Sequence, residues 1–285
     1  MDAWADGYWW SKDGLRLHYR DYPGDPAALP VLCLHGLTRN ARDFEGLAAH
    51  LNAGRRVIVP EMRGRGESAY AKDSMSYVPL IYLQDLAALF DQLALPRFLF
   101  VGTSMGGILT MLVAATDRSR VAGAVLNDIG PVVEEAGLER IRSYVGRSAS
   151  WPTWMHAARD IADAQGGCYP GWKLDDWLLY AKRLCRLTGA GRIVWDYDMK
   201  IAEPMRLPGG EGAVDLWPAF TALAATPLLV VRGGTSDILS AETLAEIERR
   251  APATRVITVP RTGHAPTLDE PEVVAAIDAL VGQAI

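Results

Sequence analysis

The sequence is poor in cysteine and carries no excess of positive charge. Its 285 residues include three cysteines, Cys33, Cys168 and Cys185, which are too few and too scattered for a disulfide framework or a cysteine-based metal site. The 29 lysines and arginines face 34 acidic residues, giving a formal net charge of −5. Because the bases form no stripe, nucleic acid is not an expected partner. The five histidines show no close ligand spacing, so no metal is expected.

Long apolar runs are also missing. No run reaches the roughly 20 residues that a membrane-spanning helix needs, so no membrane partner is expected. Residues 1–6 carry acids and no apolar stretch of the signal-peptide type, which makes a cytoplasmic location the expectation. With 49% hydrophobic and 22% charged residues, the composition is that of a globular protein with a large core.

Short apolar runs alternate with helical patterns through most of the chain. Strand-like runs occupy residues 15–20, 31–34, 56–60, 98–101, 121–126, 227–232 and 254–259. Helical spacing of apolar residues occupies 42–51, 77–93, 107–115, 242–250 and 271–281. Strands that alternate with helices favour an α/β fold with a largely parallel sheet and helices on both faces.

The alternation stops after residue 130. Helical segments rich in tryptophan, tyrosine, arginine and aspartate take over, with glycine-containing breaks at 165–167 and 208–210. We therefore predict a core domain of residues 1–130 and 219–285, with a helical cap of residues 131–218 inserted into it. Trp151, Trp154 and Trp177 of this cap are candidates for the wall of an apolar substrate pocket, although packing of the cap onto the sheet is the more common role of any single tryptophan there.

The run Gly102-Thr103-Ser104-Met105-Gly106 is the most informative motif. It has the form G-x-S-x-G between an apolar strand and an apolar helical stretch, which is the context of a nucleophile elbow. The sharp turn exposes the serine oxygen at the end of the strand, and the helix N-terminus favours negative charge there. Ser104 is therefore the candidate nucleophile.

A serine nucleophile needs a base and an acid that orients the base. His264 follows the last predicted strand and is the candidate base. Asp237 follows the strand before it, and the chain order Ser104, Asp237, His264 is the one expected on such a sheet. Asp128, at the end of the strand before that one, is the alternative acid; its structural interpretation is a turn-capping residue, and the position of its strand favours Asp237.

Two backbone amides are candidates for an oxyanion hole. The Met105 amide directly follows the nucleophile. The Leu37 amide lies in the loop after the strand 31–34, where Gly36 permits an unusual backbone. Arg39, in the same loop, is a candidate partner for a substrate carboxylate.

The chain resembles the α/β-hydrolase superfamily over nearly its whole length. Four signatures carry the resemblance: His35-Gly36, the stretch 60–68, the Ser104 elbow and Gly263-His264. The resemblance implies an eight-stranded, mostly parallel sheet, a helical cap inserted after the sixth strand, and no cofactor. Members usually have aspartate where this chain has Glu61, a departure that concerns a structural turn.

The resemblance favours a serine hydrolase of a small carboxylic ester or lactone, working through an acyl-enzyme as a monomer or homodimer. One alternative is a carbon–carbon hydrolase of a vinylogous diketone acid from aromatic breakdown. Its members commonly have tryptophan after the catalytic histidine and a glycine-rich oxyanion loop, whereas this chain has Ala265 and 37–39. The second alternative is a non-catalytic ligand-binding protein on the same fold.

Overall fold

The computed structural model describes residues 3–206 and 215–283, so the predicted break at 208–210 lies outside the described residues. The first part of the chain forms β1 (Ala5–Trp10), β2 (Arg16–Tyr22), β3 (Val31–Leu34), α1 (Glu45–Leu51), β4 (Val57–Glu61), α2 (Pro79–Leu93), β5 (Phe98–Thr103), α3 (Met105–Asp117) and β6 (Val121–Asn127). The middle forms α4 (Glu135–Tyr144), β7 (Ser150–Trp151), α5 (Trp154–Gln165), α6 (Leu174–Leu184), β8 (Cys185–Leu187) and β9 (Ile193–Trp195). The last part forms α7 (Trp217–Ala224), β10 (Leu228–Gly233), α8 (Ala241–Arg250), β11 (Arg255–Val259) and α9 (Pro271–Gln283).

Eight strands form one sheet in the order β1-β2-β4-β3-β5-β6-β10-β11. The pairs β1–β2 and β2–β4 are antiparallel, and the other pairs are parallel. The predicted α/β fold with an eight-stranded, mostly parallel sheet is therefore confirmed. All seven predicted strands are present close to their expected bounds, and the edge strand β1 is the one that the sequence pattern did not indicate.

The centre of the sheet is buried on both faces: every residue of β3, β4 and β6 is buried, whereas the edge strands β1 and β11 are largely exposed or half-buried. In β3, Leu32 and Leu34 point into one hydrophobic cluster, while Val31 and Cys33 point into another, as the two-residue period of a strand requires. Residues of α2, α3 and α7 fill the first cluster, and residues of α1 and α9 fill the second. The carboxyl ends of the parallel strands are left as the edge where loops gather.

Glu61, at the end of β4, connects three segments next to that edge. Its carboxylate accepts hydrogen bonds from the amides of Ala41 (3.0 Å) and Glu67 (2.7 Å) and contacts His18 Nδ1 at 2.9 Å. Burial raises the pKa of Glu61, but His18 and the amides of Ala41 and Glu67 together hold the pKa below its usual value. Gly66 has a φ of +53°, and a Cβ there would lie 2.2 Å from the Glu61 carboxylate. Glu61 thus stabilises the turn after β4, which is the structural role that the resemblance implied for this position.

The chain leaves the sheet after β6 and returns to it at β10. We call residues 131–218 the inserted segment; within its described part lie α4, α5, α6 and an antiparallel sheet of order β7-β9-β8. The sequence pattern did not indicate these strands, because they have two or three residues and are too short to show a period. The division into core and cap stays a prediction, and its boundary at residue 218 falls within α7, which packs against α3.

Across the described ranges, no helix combines the length and apolar character needed to span a bilayer.

Candidate active site

Ser104 lies on a sharp turn between β5 and α3. Its φ of +52° and ψ of −116° are strained for a residue with a side chain, as a nucleophile elbow requires. The turn closes because its flanking residues are glycines: a Cβ on Gly102 would lie 2.5 Å from the Gly106 carbonyl oxygen. A Cβ on Gly106 would lie 2.0 Å from the Leu34 carbonyl oxygen of β3. The glycines therefore allow strand and helix to approach, and Ser104 Oγ stands at the end of the sheet.

His264 joins Ser104 to a carboxylate. Its Nε2 lies 2.9 Å from Ser104 Oγ, and its Nδ1 lies 2.7 Å from Asp128 Oδ2. An ionised carboxylate can only accept, so Nδ1 carries the proton and Nε2 is left to accept from the serine hydroxyl. The three side chains form a continuous hydrogen-bonded chain from the elbow to a buried acid.

Asp128 is held firmly beneath the histidine. It follows β6 with a φ of +56° and is completely buried. Its Oδ1 accepts from the Gly233 amide at 2.7 Å, and its Oδ2 accepts from the Ser236 hydroxyl at 2.7 Å as well as from His264. These donors satisfy the buried charge and fix the direction in which it faces the imidazole.

The predicted contact between Asp237 and His264 is not formed. The Asp237 carboxylate instead accepts two hydrogen bonds from Arg140 of α4, at 2.5 Å from Nε and 2.8 Å from Nη2. The hydrogen bond to Arg140 lowers the pKa of Asp237, and the one to Asp237 raises the pKa of Arg140. A bidentate cation 97 residues away in the chain thus holds Asp237, while the alternative acid Asp128 takes the place beside the histidine.

The loop after β3 passes beside the elbow. A Cβ on Gly36 would lie 3.7 Å from Ser104 Cβ. Among the hydrogen bonds of the described residues, neither the Leu37 amide nor the Met105 amide is a donor. Met105 is the first residue of α3, so its N–H has no partner within the helix. Both predicted oxyanion donors are thus unused amides next to Ser104, although the Met105 side chain itself is buried.

His35 supports this loop from below. Burial lowers the pKa of His35 to about 4, so the ring is neutral at pH 7. Its Nδ1 donates to the Gly36 carbonyl at 2.7 Å, and its Nε2 accepts from the Met62 amide at 3.1 Å. The histidine of the His35-Gly36 signature therefore joins the loop to the end of β4.

Ser104 and His264 open into a cavity of about 270 Å³ between the sheet and the inserted segment. Apolar and aromatic side chains of the inserted segment form its far wall, among them Ile141, Tyr144, Trp151, Tyr169, Trp195 and Tyr197. A cavity of this volume admits a small ligand, since it lies near the lower end of the range for ligand pockets, roughly 300 Å³ upward.

The four residues predicted to line a pocket divide into two groups. Arg39 and Trp151 line the cavity. Arg39 is committed to Asp43, which accepts from its Nε at 2.6 Å and its Nη2 at 2.7 Å. Trp154 and Trp177 do not line the cavity, which corrects the prediction. Both pack within the inserted segment, where Trp177 contacts Trp172 edge-on at a centroid distance of 4.8 Å.

The inserted segment also forms hydrogen bonds with the loop that carries His264. The Gly263 amide donates to the Cys168 carbonyl at 2.7 Å, and the Tyr169 hydroxyl donates to the Ala265 carbonyl at 2.8 Å. The segment therefore bonds the backbone on both sides of the histidine. Sequence reasoning missed Tyr169 and Arg140, because the pairing of distant segments leaves no local signal in the sequence.

Ser104 lies on a strained strand-to-helix turn at the edge of a parallel sheet, and His264 links it to a buried acid. This arrangement is that of the α/β hydrolases. A family model described as alpha/beta hydrolase family matches residues 31–277. The chain belongs to this family and is a hydrolytic enzyme.

The chain is similar to several proteins of known structure or name. The chain is 57% identical to an alpha/beta hydrolase of known structure from Novosphingobium aromaticivorans, with a TM-score of 0.95 and 99% of each chain covered. It is 36% identical to the 3-hydroxybutyrate-oligomer hydrolase of Cupriavidus necator, over 93% of this chain and 92% of that one. It is 27% identical to the 2-(acetamidomethylene)succinate hydrolase of Mesorhizobium japonicum, over 85% of this chain and 84% of that one.

Proposed function

We propose that the protein is a serine hydrolase that cleaves small carboxylic esters, lactones included, through an acyl-enzyme. Ser104 is the nucleophile, His264 the general base, and Asp128 the acid that orients it. The observation that carries this proposal is the hydrogen-bonded chain from Ser104 Oγ through His264 to Asp128, with distances of 2.9 and 2.7 Å. This assignment replaces Asp237, which the sequence favoured.

The chemistry follows from this geometry. His264 Nε2 takes the proton of Ser104 Oγ as the oxygen attacks the ester carbonyl, and the charge of Asp128 stabilises the imidazolium that forms. The amides of Leu37 and Met105 donate to the oxyanion of the tetrahedral intermediate. His264 then protonates the leaving alcohol. A water molecule, activated by the same imidazole, hydrolyses the acyl-enzyme and restores Ser104.

The cavity and the relatives support esters of modest size. A chamber of about 270 Å³ with a largely apolar wall accommodates a short acyl chain and a short alcohol. The relative from Cupriavidus necator is named as a hydrolase of 3-hydroxybutyrate oligomers, whose units are joined by ester bonds. We therefore include short hydroxy-acid esters among the proposed substrates.

A fluorophosphonate probe tests the proposed nucleophile, because it mimics the tetrahedral intermediate and reacts only with an activated serine. We expect stoichiometric labelling at Ser104, mapped by mass spectrometry of the digested protein. The Ser104→Ala variant is the matched control and should remain unlabelled. An unlabelled wild-type protein, under conditions that label a known serine hydrolase, would contradict the proposal.

The hydrogen bond from the Tyr169 hydroxyl to the Ala265 carbonyl leads to a prediction about Tyr169. We expect Tyr169→Phe to lower kcat for p-nitrophenyl acetate by about two- to tenfold, since one hydrogen bond worth roughly 0.5–1.5 kcal/mol no longer holds the loop. KM should change little, because the ring that lines the cavity is retained. The rate of fluorophosphonate labelling should fall by the same factor as kcat. A variant with a lower melting temperature and unchanged kcat would show that the bond serves stability alone.

A further inference from the structure

Three arginines reach the wall of the cavity, and they differ in how their charge is used. Arg39 is held by both oxygens of Asp43, and its Nη1 donates to the Tyr180 hydroxyl at 2.5 Å. Asp43 also lines the cavity, so this pair presents no net charge to a ligand. The other lining carboxylate, Asp160, accepts from Trp151 Nε1 at 2.5 Å. Arg39 is therefore a poor candidate for binding a substrate anion.

Arg183 of α6 is the second arginine. Its side chain is only 15% exposed, and its Nη2 donates to Asp269 at 3.0 Å. The Arg183 carbonyl accepts from Arg42 Nε and from Asn40 Nδ2, so the residue joins α6 to the core. Its place in the fold is accounted for by these contacts.

Arg140 of α4 differs from Arg39 because its partner Asp237 does not line the cavity. It differs from Arg183 because its side chain is 32% exposed rather than 15%, and because two hydrogen bonds to one carboxylate hold it rather than one. The Nε and Nη2 donors face Asp237, and Nη1 makes no hydrogen bond with any described residue. The carboxylate thus lies behind the guanidinium and fixes its plane, while the outer edge of the cation remains available to the cavity.

We infer that Arg140 is a subsite for a carboxylate carried by the substrate, and that Asp237 is its positioning residue. Resting on the proposed ester hydrolysis, this inference narrows the substrate class to esters of short hydroxy acids that keep a free carboxylate. In a linear hydroxy-acid oligomer the free carboxylate belongs to the terminal unit, whose hydroxyl group forms the alcohol part of the last ester bond. Attack by Ser104 on the last ester bond then transfers the preceding acyl group to the serine, and the hydroxy acid beside Arg140 leaves after taking a proton from His264.

The position of the carboxylate agrees with the surroundings of Arg140. Arg140 and the catalytic pair line the same small cavity, so a ligand that spans both is short. Ser236, next to Asp237 in the chain, donates to the Asp128 carboxylate that contacts His264, so the Arg140–Asp237 pair lies beside the catalytic residues. Ile141 and Tyr144, on the same helix as Arg140, line the cavity and supply apolar contact for the carbon chain.

The test compares a charged and an uncharged form of one substrate. The probes are the 3-hydroxybutyrate dimer with its free carboxylate and the same dimer with a terminal carboxamide, which is nearly isosteric and uncharged. We expect wild-type kcat/KM to be about 10- to 100-fold higher for the carboxylate, as for a lost charge-assisted hydrogen bond. Hydrolysis is followed by chromatography of the released monomer. Equal kcat/KM values for the two dimers would overturn the inference.

Two arginine variants of the same helix locate the effect. Arg140→Gln should bring the carboxylate-to-carboxamide ratio close to one by lowering only the carboxylate rate. Arg142→Gln is the matched control, since Arg142 pairs with Glu135 and does not line the cavity, and it should keep the wild-type ratio. An equal loss of kcat/KM on both dimers in Arg140→Gln would show that the ion pair only fastens α4 to the loop of Asp237, and it would overturn the inference. A carboxylate-to-carboxamide ratio that changes in Arg183→Gln alone would overturn it as well.

The outcomes separate this inference from the proposed function. If ester hydrolysis itself is wrong, neither dimer is hydrolysed and Ser104 is not labelled by fluorophosphonate. If only the subsite is wrong, both dimers are hydrolysed at equal rates. Should Arg140→Gln fail to fold, inhibition by butyrate and by butyramide is compared in the wild-type protein and in Asp237→Asn. A subsite at Arg140 makes butyrate the stronger inhibitor by about tenfold in the wild-type protein and by less in Asp237→Asn, whereas a preference that Asp237→Asn leaves unchanged would place the carboxylate at the oxyanion amides and overturn the inference.

Discussion

Replacing Asp128 with asparagine is expected to lower kcat for p-nitrophenyl acetate by about four orders of magnitude, the typical loss when the acid of such a triad becomes an amide. Asparagine keeps the size of the side chain, but its amide no longer stabilises the imidazolium and can hold His264 in the wrong tautomer. The Gly233 amide and the Ser236 hydroxyl still have an acceptor nearby. We therefore expect the fold to survive, which circular dichroism and the melting temperature would check.

Asp237→Asn is the matched control for this prediction. It removes the same charge from the loop after the neighbouring strand β10, and it breaks the ion pair with Arg140 rather than the contact with His264. Because p-nitrophenyl acetate carries no carboxylate, we expect kcat to fall by less than about fivefold, the loss of a half-exposed ion pair. A larger loss in Asp237→Asn than in Asp128→Asn would return the acid to the residue that the sequence favoured.

Removing the nucleophile and the base should show that they act as one unit. Ser104→Ala and His264→Ala are each expected to lower kcat by about a millionfold, and the double variant should be no slower than either single one. The reason is that the serine is activated only through the 2.9 Å contact between its Oγ and His264 Nε2. Single-turnover hydrolysis of an activated aryl ester, corrected for the uncatalysed rate, measures all three variants.

The residual rate of these variants is informative in itself. The amides of Leu37 and Met105 remain when either side chain is removed, so a rate of about a thousandfold over water should persist. Losses that multiply in the double variant would mean that Ser104 and His264 act independently, which would contradict the proposed mechanism. Unchanged melting temperatures would show that the losses come from the chemistry.

Much of the fold was predictable because its signals are local. The apolar runs of β3, β4, β5, β6 and β10 are short and continuous, as strands buried on both faces are, and they appear where the pattern placed them. The edge strand β1 was missed because its residues are mostly exposed and its apolar pattern is weak. The short strands β7, β8 and β9 were missed because two or three residues carry no period.

The sequence by itself determined the elbow, because Gly102 and Gly106 allow close backbone contacts with residues a few positions away or on the adjacent strand. It also determined His264 as the candidate base, through its place after the last strand. Only the tertiary structure shows which of the two carboxylates contacts His264. Asp128 and Asp237 both follow parallel strands that end at one edge of the sheet, so chain order allows either one to reach the histidine.

Two features place Asp128 rather than Asp237 beside His264: the direction of the Asp128 side chain and the ion pair between Asp237 and a distant arginine. The left-handed backbone of Asp128 turns its carboxylate beneath His264, where the Ser236 hydroxyl and the Gly233 amide hold it. Arg140, which the inserted segment brings from 97 residues away, takes both oxygens of Asp237. Side-chain direction and long-range ion pairing are set by packing, and no local pattern in the sequence records them.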